Sequence, residues 1–137
     1  MLLLTRETDY ALRILRALAD GERHTAGELA GTQQVPQQFT YKILKKLQKS
    51  GLVDIARGAD GGCALTASLD ATSLYDVMRA MGENELVNAC LEPGHVCTWR
   101  SARDGACCHI HCRLAQVQEN LNAELKSHSL AELFFDP

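Results

Sequence analysis

Apolar positions recur with helical spacing along the first fifty residues. Tyr10, Ile14 and Leu18 fall four apart, and Ala11 and Leu15 widen the stripe to one face. Thr5 suits the N-cap of that helix, Glu7 its first turn, and Asp20-Gly21 ends it. Thr25 and Glu28, in T-A-G-E, form a capping box that predicts a short second helix through Ala30, with Gly31-Thr32-Gln33-Gln34 as a turn. A third helix starts at about Pro36, buries Phe39, Ile43, Leu44 and Leu47, and stops at Ser50-Gly51. The period then shortens to two. Val53 and Ile55, then Cys63 and Leu65, alternate with less apolar neighbours around R-G-A-D-G-G, residues 57–62, which predicts a β-hairpin with a glycine-rich tip.

A fourth helix begins near Thr72/Ser73, with Leu74, Val77, Met78 and Met81 on one face. Residues 83–111 lose all periodicity and contain Pro93, Gly94, Gly105 and most of the Cys and His, so they read as an irregular loop. A long helix follows from about His109 to Ser127, with Leu114, Val117, Leu121 and Leu125 along one face. Ser129 and Glu132 form a capping box for a last short helix. Helix, short helix, turn, helix and hairpin in that order predict a mainly α fold with a small β-hairpin wing, a winged helix-turn-helix.

Composition narrows the partners. The chain has 137 residues, 46% hydrophobic and 23% charged, enough for one globular domain or a small domain with an appended element. Its net charge of −3 excludes a wholesale polycation. The charge is uneven: residues 1–66 hold nine Lys/Arg and seven Asp/Glu, net +2, whereas residues 67–137 hold five and ten, net −5. A polyanion is therefore expected at the front half. The opening apolar run, Leu2–Leu4, is soon followed by Arg6 and Glu7, which resembles neither a secretory signal nor a membrane span, so a cytoplasmic location with reduced thiols is expected.

On the third helix Lys42, Lys45, Lys46 and Lys49 follow the spacing i, i+3, i+4, i+7 and place four ammonium groups on one face. A winged helix lays this element in the major groove of double-stranded DNA. Gln37, Gln38, Thr40 and Tyr41 in its first half are candidates for base edges, and the lysines for phosphates. Arg57, at the wing tip, is a candidate for the adjacent minor groove.

Six cysteines occupy positions 63, 90, 97, 107, 108 and 112, five of them within residues 90–112. His95, His109 and His111 lie among them. Clustered thiols on an irregular loop suit an iron–sulfur cluster or zinc, although compact C-x-x-C pairs are missing. Cys63, in a wing strand, reads as a core residue. A Cys/His nucleophilic enzyme is disfavoured, because no oxyanion motif or ordering carboxylate accompanies Cys108.

Several segments together are similar to one family: L-T-R-E-T-D-Y-A-L-R (4–13), Y-K-I-L-K-K-L-Q-K-S-G-L-V (41–53), R-G-A-D-G-G (57–62), Y-D-V-M-R-A-M (75–81) and S-L-A-E-L (129–133). The chain resembles the IscR/NsrR-type bacterial winged helix-turn-helix transcription regulators across nearly its whole length. The resemblance implies a homodimeric regulator, most readily a repressor, that binds a DNA operator and senses redox, nitric oxide or iron–sulfur status. It divides the chain into a DNA-binding domain (1–68), a linking helix (69–88), a sensor loop (89–111), and a dimerisation helix with the final short helix (109–137). It implies a 2Fe–2S or 4Fe–4S cluster held by Cys90, Cys97 and Cys108, the last found by counting back from Ser129. Cys107 and Cys112 are alternatives. The fourth ligand is His111 by the IscR-like C-x-x-H, Asp9 by the NsrR-like T-D-Y-A-L-R, or Cys112. The segment T-W-R-S-A-R-D-G-A (98–106) departs from the family pattern as an insertion that lengthens the gap before Cys108. Two other readings stay open: a cluster-free thiol switch of the same family, and a zinc-stabilised winged helix that binds proteins.

Overall fold

The computed structural model describes residues 3–136, so Leu2 of the opening leucine run, like Met1 and Pro137, lies outside the described residues. Helix α1 spans Arg6–Leu18, capped by the Thr5 hydroxyl, which accepts from the Thr8 amide. Helix α2 spans Ala26–Gln33, longer than its sequence signals imply: the expected turn at 31–34 is mostly helical, and Gln34 ends it in the left-handed region at φ 56°. Thr25 accepts from the Glu28 amide, but the Glu28 carboxylate turns to His24 rather than closing the capping box. Helix α3 spans Gln37–Lys49 with Pro36 at its N-cap.

Strands β1 (Val53–Ala56) and β2 (Gly62–Leu65) pair antiparallel, Val53 opposite Leu65 and Ile55 opposite Cys63. The wing is stitched to the body by its second strand. Cys63 exchanges backbone hydrogen bonds with His24, at 2.9 and 2.7 Å, and Arg23 donates to the Gly62 carbonyl and to Asp54. Gly62 is required there. Its φ is +119°, and a Cβ would sit 2.6 Å from the His24 carbonyl oxygen. Cys63 is buried, as expected, and its Sγ donates to the His24 carbonyl.

Helix α4 spans Leu74–Ala80 behind a reciprocal capping box between Ser73 and Asp76. Ile14, Leu15 and Leu18 from α1, Leu29, and Ile43 and Leu47 from α3 form one core with Val77 and Met81. The segment 83–111 is not wholly irregular, which corrects the expected loop. It contains a 3-10 turn at Ala89–Leu91 and helix α5 at Thr98–Ser101, inside the insertion. There Arg100 donates to the Ala106 carbonyl, while the Arg103 guanidinium stacks 4.3 Å from the Trp99 ring centre.

Helix α6 spans His109–Ser127 and α7 Leu130–Phe135, docked beside α4 by hydrogen bonds from Leu74 to the His128 carbonyl and from Leu130 to Thr72. The expected apolar face of α6 is divided. Leu125 packs inward against the body with Gln118, whereas Val117 points outward at 50% exposure and Ile110 at 69%.

Candidate DNA-binding surface and thiol cavity

Two surfaces carry chemistry. The first is the outer face of α3. Gln37, Gln38, Tyr41, Lys42, Lys45 and Lys49 are exposed there, and Gln37 donates to the Tyr41 hydroxyl at 3.3 Å. Thr40 does not join them: it is fully buried and donates to the Pro36 carbonyl, the back-bond that an inward hydroxyl makes in a helix. The four lysines are also unequal. Glu7 of α1 accepts from Lys42 at 2.7 Å and from Lys46 at 2.6 Å, and Lys46 reaches the Met81 carbonyl at 3.3 Å. The two ammonium groups, Lys42 first, hold the Glu7 carboxyl below its usual range. Lys46 is thus a tie between α3, α1 and the end of α4, while Lys45 and Lys49 make no ion pair among the described residues. Arg57 is exposed at the wing tip.

A polar knot escaped the sequence reading. Glu83 is buried, and its Oε1 accepts from the hydroxyls of Thr5 and Thr8 on α1. Its Oε2 is buried without a partner. The chain then runs on to Gln118 of α6, whose side chain accepts from the Val87 amide at 2.8 Å and donates to the Glu85 carbonyl at 3.2 Å. No local pattern signals these bonds, because Thr8 and Glu83 stand 75 positions apart.

The second surface is a cavity of about 800 Å³ between residues 88–107 and the start of α6. Cys90, Cys97 and Cys108 all line it, with Cys107, His95, His109 and His111. The insertion supplies one wall through Trp99, Arg100, Ser101 and Gly105. Thiols and imidazoles are the donors that iron–sulfur clusters and zinc take, so the lining fits such a group in kind. It is not gathered into a coordination sphere: among the described residues, no three His, Cys, Asp or Glu side chains are close enough to hold one ion. Cys108 is the N-cap of α6, and its Sγ accepts from the His111 amide at 3.5 Å.

The remaining ligand candidates part company. Cys112 is absent from the cavity lining and lies 4.0 Å, sulfur to sulfur, from Cys107, whose hydrogen bond pushes the Cys112 thiol up from its ordinary range. Asp9 pairs with Arg13 at 2.8 Å and borders a different groove, with Arg16, Leu133 and Phe134.

A helix-turn-helix closed by a β-wing, with its third helix presenting glutamines and lysines outward, defines a DNA-binding transcription regulator. Comparison with known proteins gives the family. Residues 4–136 match Rrf2, described as an iron-dependent transcriptional regulator, and the chain belongs to that family. It is 33% identical over 139 residues to the HTH-type transcriptional repressor NsrR of Streptomyces coelicolor, covering 98% of this chain and 89% of that protein. Protein aau3 of Rhizobium meliloti is 34% identical over 95 residues, or 68% of this chain, which spans 62% of that protein's length. The fold matches CymR, the global cysteine regulator of B. subtilis, with a TM-score of 0.68 at 22% identity, covering 98% and 97% of the two chains. It also matches IscR of T. potens, with a TM-score of 0.64 at 19% identity, covering 97% and 86%. No helix among the described residues is long and apolar enough to cross a membrane.

Proposed function

We propose that this regulator is a homodimeric repressor whose hold on DNA is set by an iron–sulfur cluster bound at the thiol cavity. The carrying observation is that Cys90, Cys97 and Cys108 come from three separate segments to line one cavity. His111, already at that wall and three residues after Cys108, completes the set within one subunit. When bound, the cluster supplies a centre that oxidants and small diatomic ligands attack. The protein's part is mechanical. Cys108 both lines the cavity and caps α6, so giving its sulfur to the cluster frees the His111 amide and disturbs the first turn of that helix. Gln118 ties α6 to residues 85–87, Glu83 ties the same turn to α1, and Lys46 ties the end of α4 to the recognition helix. Repression is read from the NsrR relative, a named repressor. Dimerisation is read from the outward Ile110 and Val117 on α6, which a second copy's helix would cover.

The DNA surface is assigned to Gln37, Gln38, Tyr41, Lys42, Lys45, Lys49 and Arg57. Arg57→Ala should weaken operator binding by about 1–3 kcal/mol, and Lys45→Ala should weaken all sequences alike and lower the salt slope by about one. Unchanged binding by both variants defeats the assignment.

For the cavity, protein purified without oxygen should contain iron and sulfide and absorb broadly in the visible. Cys90→Ser, Cys97→Ser and Cys108→Ser should each abolish that absorption. Stoichiometric zinc without colour, or retention of the cluster in all three variants, overturns the reading. Loss in Asp9→Ala but not in His111→Ala moves the fourth ligand to α1.

A further inference from the structure

Cys107 and Cys112 stand outside the ligand set proposed above, and their placement has its own logic. Cys108 is the N-cap of α6, which makes Cys107 the residue before the cap and Cys112 the fourth helical residue. Those two positions form the staple of a helix N-terminus, where apolar side chains ordinarily meet across the first turn. Here both are thiols, both are exposed, and their sulfurs are 4.0 Å apart. Closing that gap to a disulfide of about 2.05 Å needs a shift of about 2 Å, within the reach of side-chain rotation about Cβ. The other sulfurs are placed differently. The Cys108 Sγ faces the His111 amide, Cys63 is buried in the wing, and Cys90 and Cys97 lie across the cavity.

We infer that Cys107 and Cys112 form an oxidation site that takes hydroperoxides and closes to an intrachain disulfide, a covalent staple on the first turn of α6. One sulfur attacks the peroxide, breaking the O–O bond and giving a sulfenic acid and one water. The second sulfur displaces the sulfenic oxygen, which leaves as a second water carrying the remaining thiol proton. Two thiols and one hydrogen peroxide thus become one disulfide and two waters. The oxidised staple holds the turn that Cys108 caps, and a dithiol reductant reopens it.

Trypsin isolates the site, because Arg103 and Arg113 bracket residues 104–113. The full chain, treated with hydrogen peroxide and blocked with N-ethylmaleimide, should yield this peptide lighter by two hydrogens, with the single maleimide on Cys108. Dithiothreitol added before the maleimide should restore three reactive thiols. Cys107→Ser and Cys112→Ser should each lose the crosslink, while Cys108→Ser should still form it between Cys107 and Cys112. That last result separates the staple from the cluster reading, since Cys108→Ser removes a proposed ligand. A crosslink through Cys108, Cys90 or Cys97, a disulfide between chains, or oxidation to sulfinic acid without crosslinking overturns the inference. Fragmentation of the wild-type peptide decides the pairing even where a variant fails to fold.

Discussion

From Thr8 to Glu83 the chain repeatedly buries residues of every element. From Asn84 to Val117 it buries none. The front is held by apolar packing around Ile14, Leu15, Ile43 and Leu47, a force that needs no partner. Residues 84–117 are held by turns, a cation–π stack and a few hydrogen bonds, with no buried residue among them. Ordering such a segment costs conformational entropy that its own contacts offset poorly. A bound cofactor, a covalent bond or a second subunit would supply what burial does not.

The widest expected gap between the regions is in stability. Leu47→Ala, at a fully buried site, should cost about 2–5 kcal/mol in urea unfolding. Trp99→Ala, in the insertion, should stay within about 0.5 kcal/mol. Equal losses would erase the contrast. At the boundary, Glu83→Ala leaves the Thr5 and Thr8 hydroxyls without their acceptor and should cost about 1–3 kcal/mol by the same measurement.

A smaller effect sharpens the DNA side. Glu7→Gln removes the counter-charge from Lys42 and Lys46. Non-specific DNA binding should tighten, and its salt slope should steepen by about 0.9 for each lysine released onto a phosphate. An unchanged slope would mean that neither ammonium group reaches DNA.

The front was largely legible because local signals and burial agree there. Thr5 and Thr25 cap the helices they were expected to cap, α4 begins beside Ser73 as expected, and α3 ends where Ser50-Gly51 requires. Thr40 was misassigned although the spacing marks it: with Ile43, Leu44 and Leu47 it stands at i, i+3, i+4 and i+7, so its hydroxyl lies on the buried stripe of α3 and not on the lysine face. The Glu7 pairing was hidden for a different reason, since 39 positions separate it from Lys46. In residues 84–117 the identities of the donors were readable and their grouping was not. Without apolar periodicity, nothing in the sequence states which thiols meet, and Cys107 was separable from Cys108 only once the cap of α6 was located.

The smallest expected effect is one of pH. His24 bridges Asp20 and Glu28, and His128 bridges Glu124 and Glu132. Bonds to these carboxylates, Asp20 first for His24 and Glu124 first for His128, raise both imidazoles above the ordinary value. A raised histidine stabilises the fold most where it is protonated in both states, below about 6.5, and that stabilisation fades as pH climbs through the folded value. His24→Gln should therefore narrow the stability difference between mildly acidic and mildly alkaline buffer. An unaltered profile would remove His24 from the account.

Gln118 has a consequence for how motion passes along the chain. One amide group grips both a carbonyl and an N–H of the same extended stretch, at Glu85 and Val87. Its two bonds share one side chain and one helical position, so a displacement of α6 beyond hydrogen-bond reach breaks both together and uncouples Glu85 and Val87 from the helix in a single event.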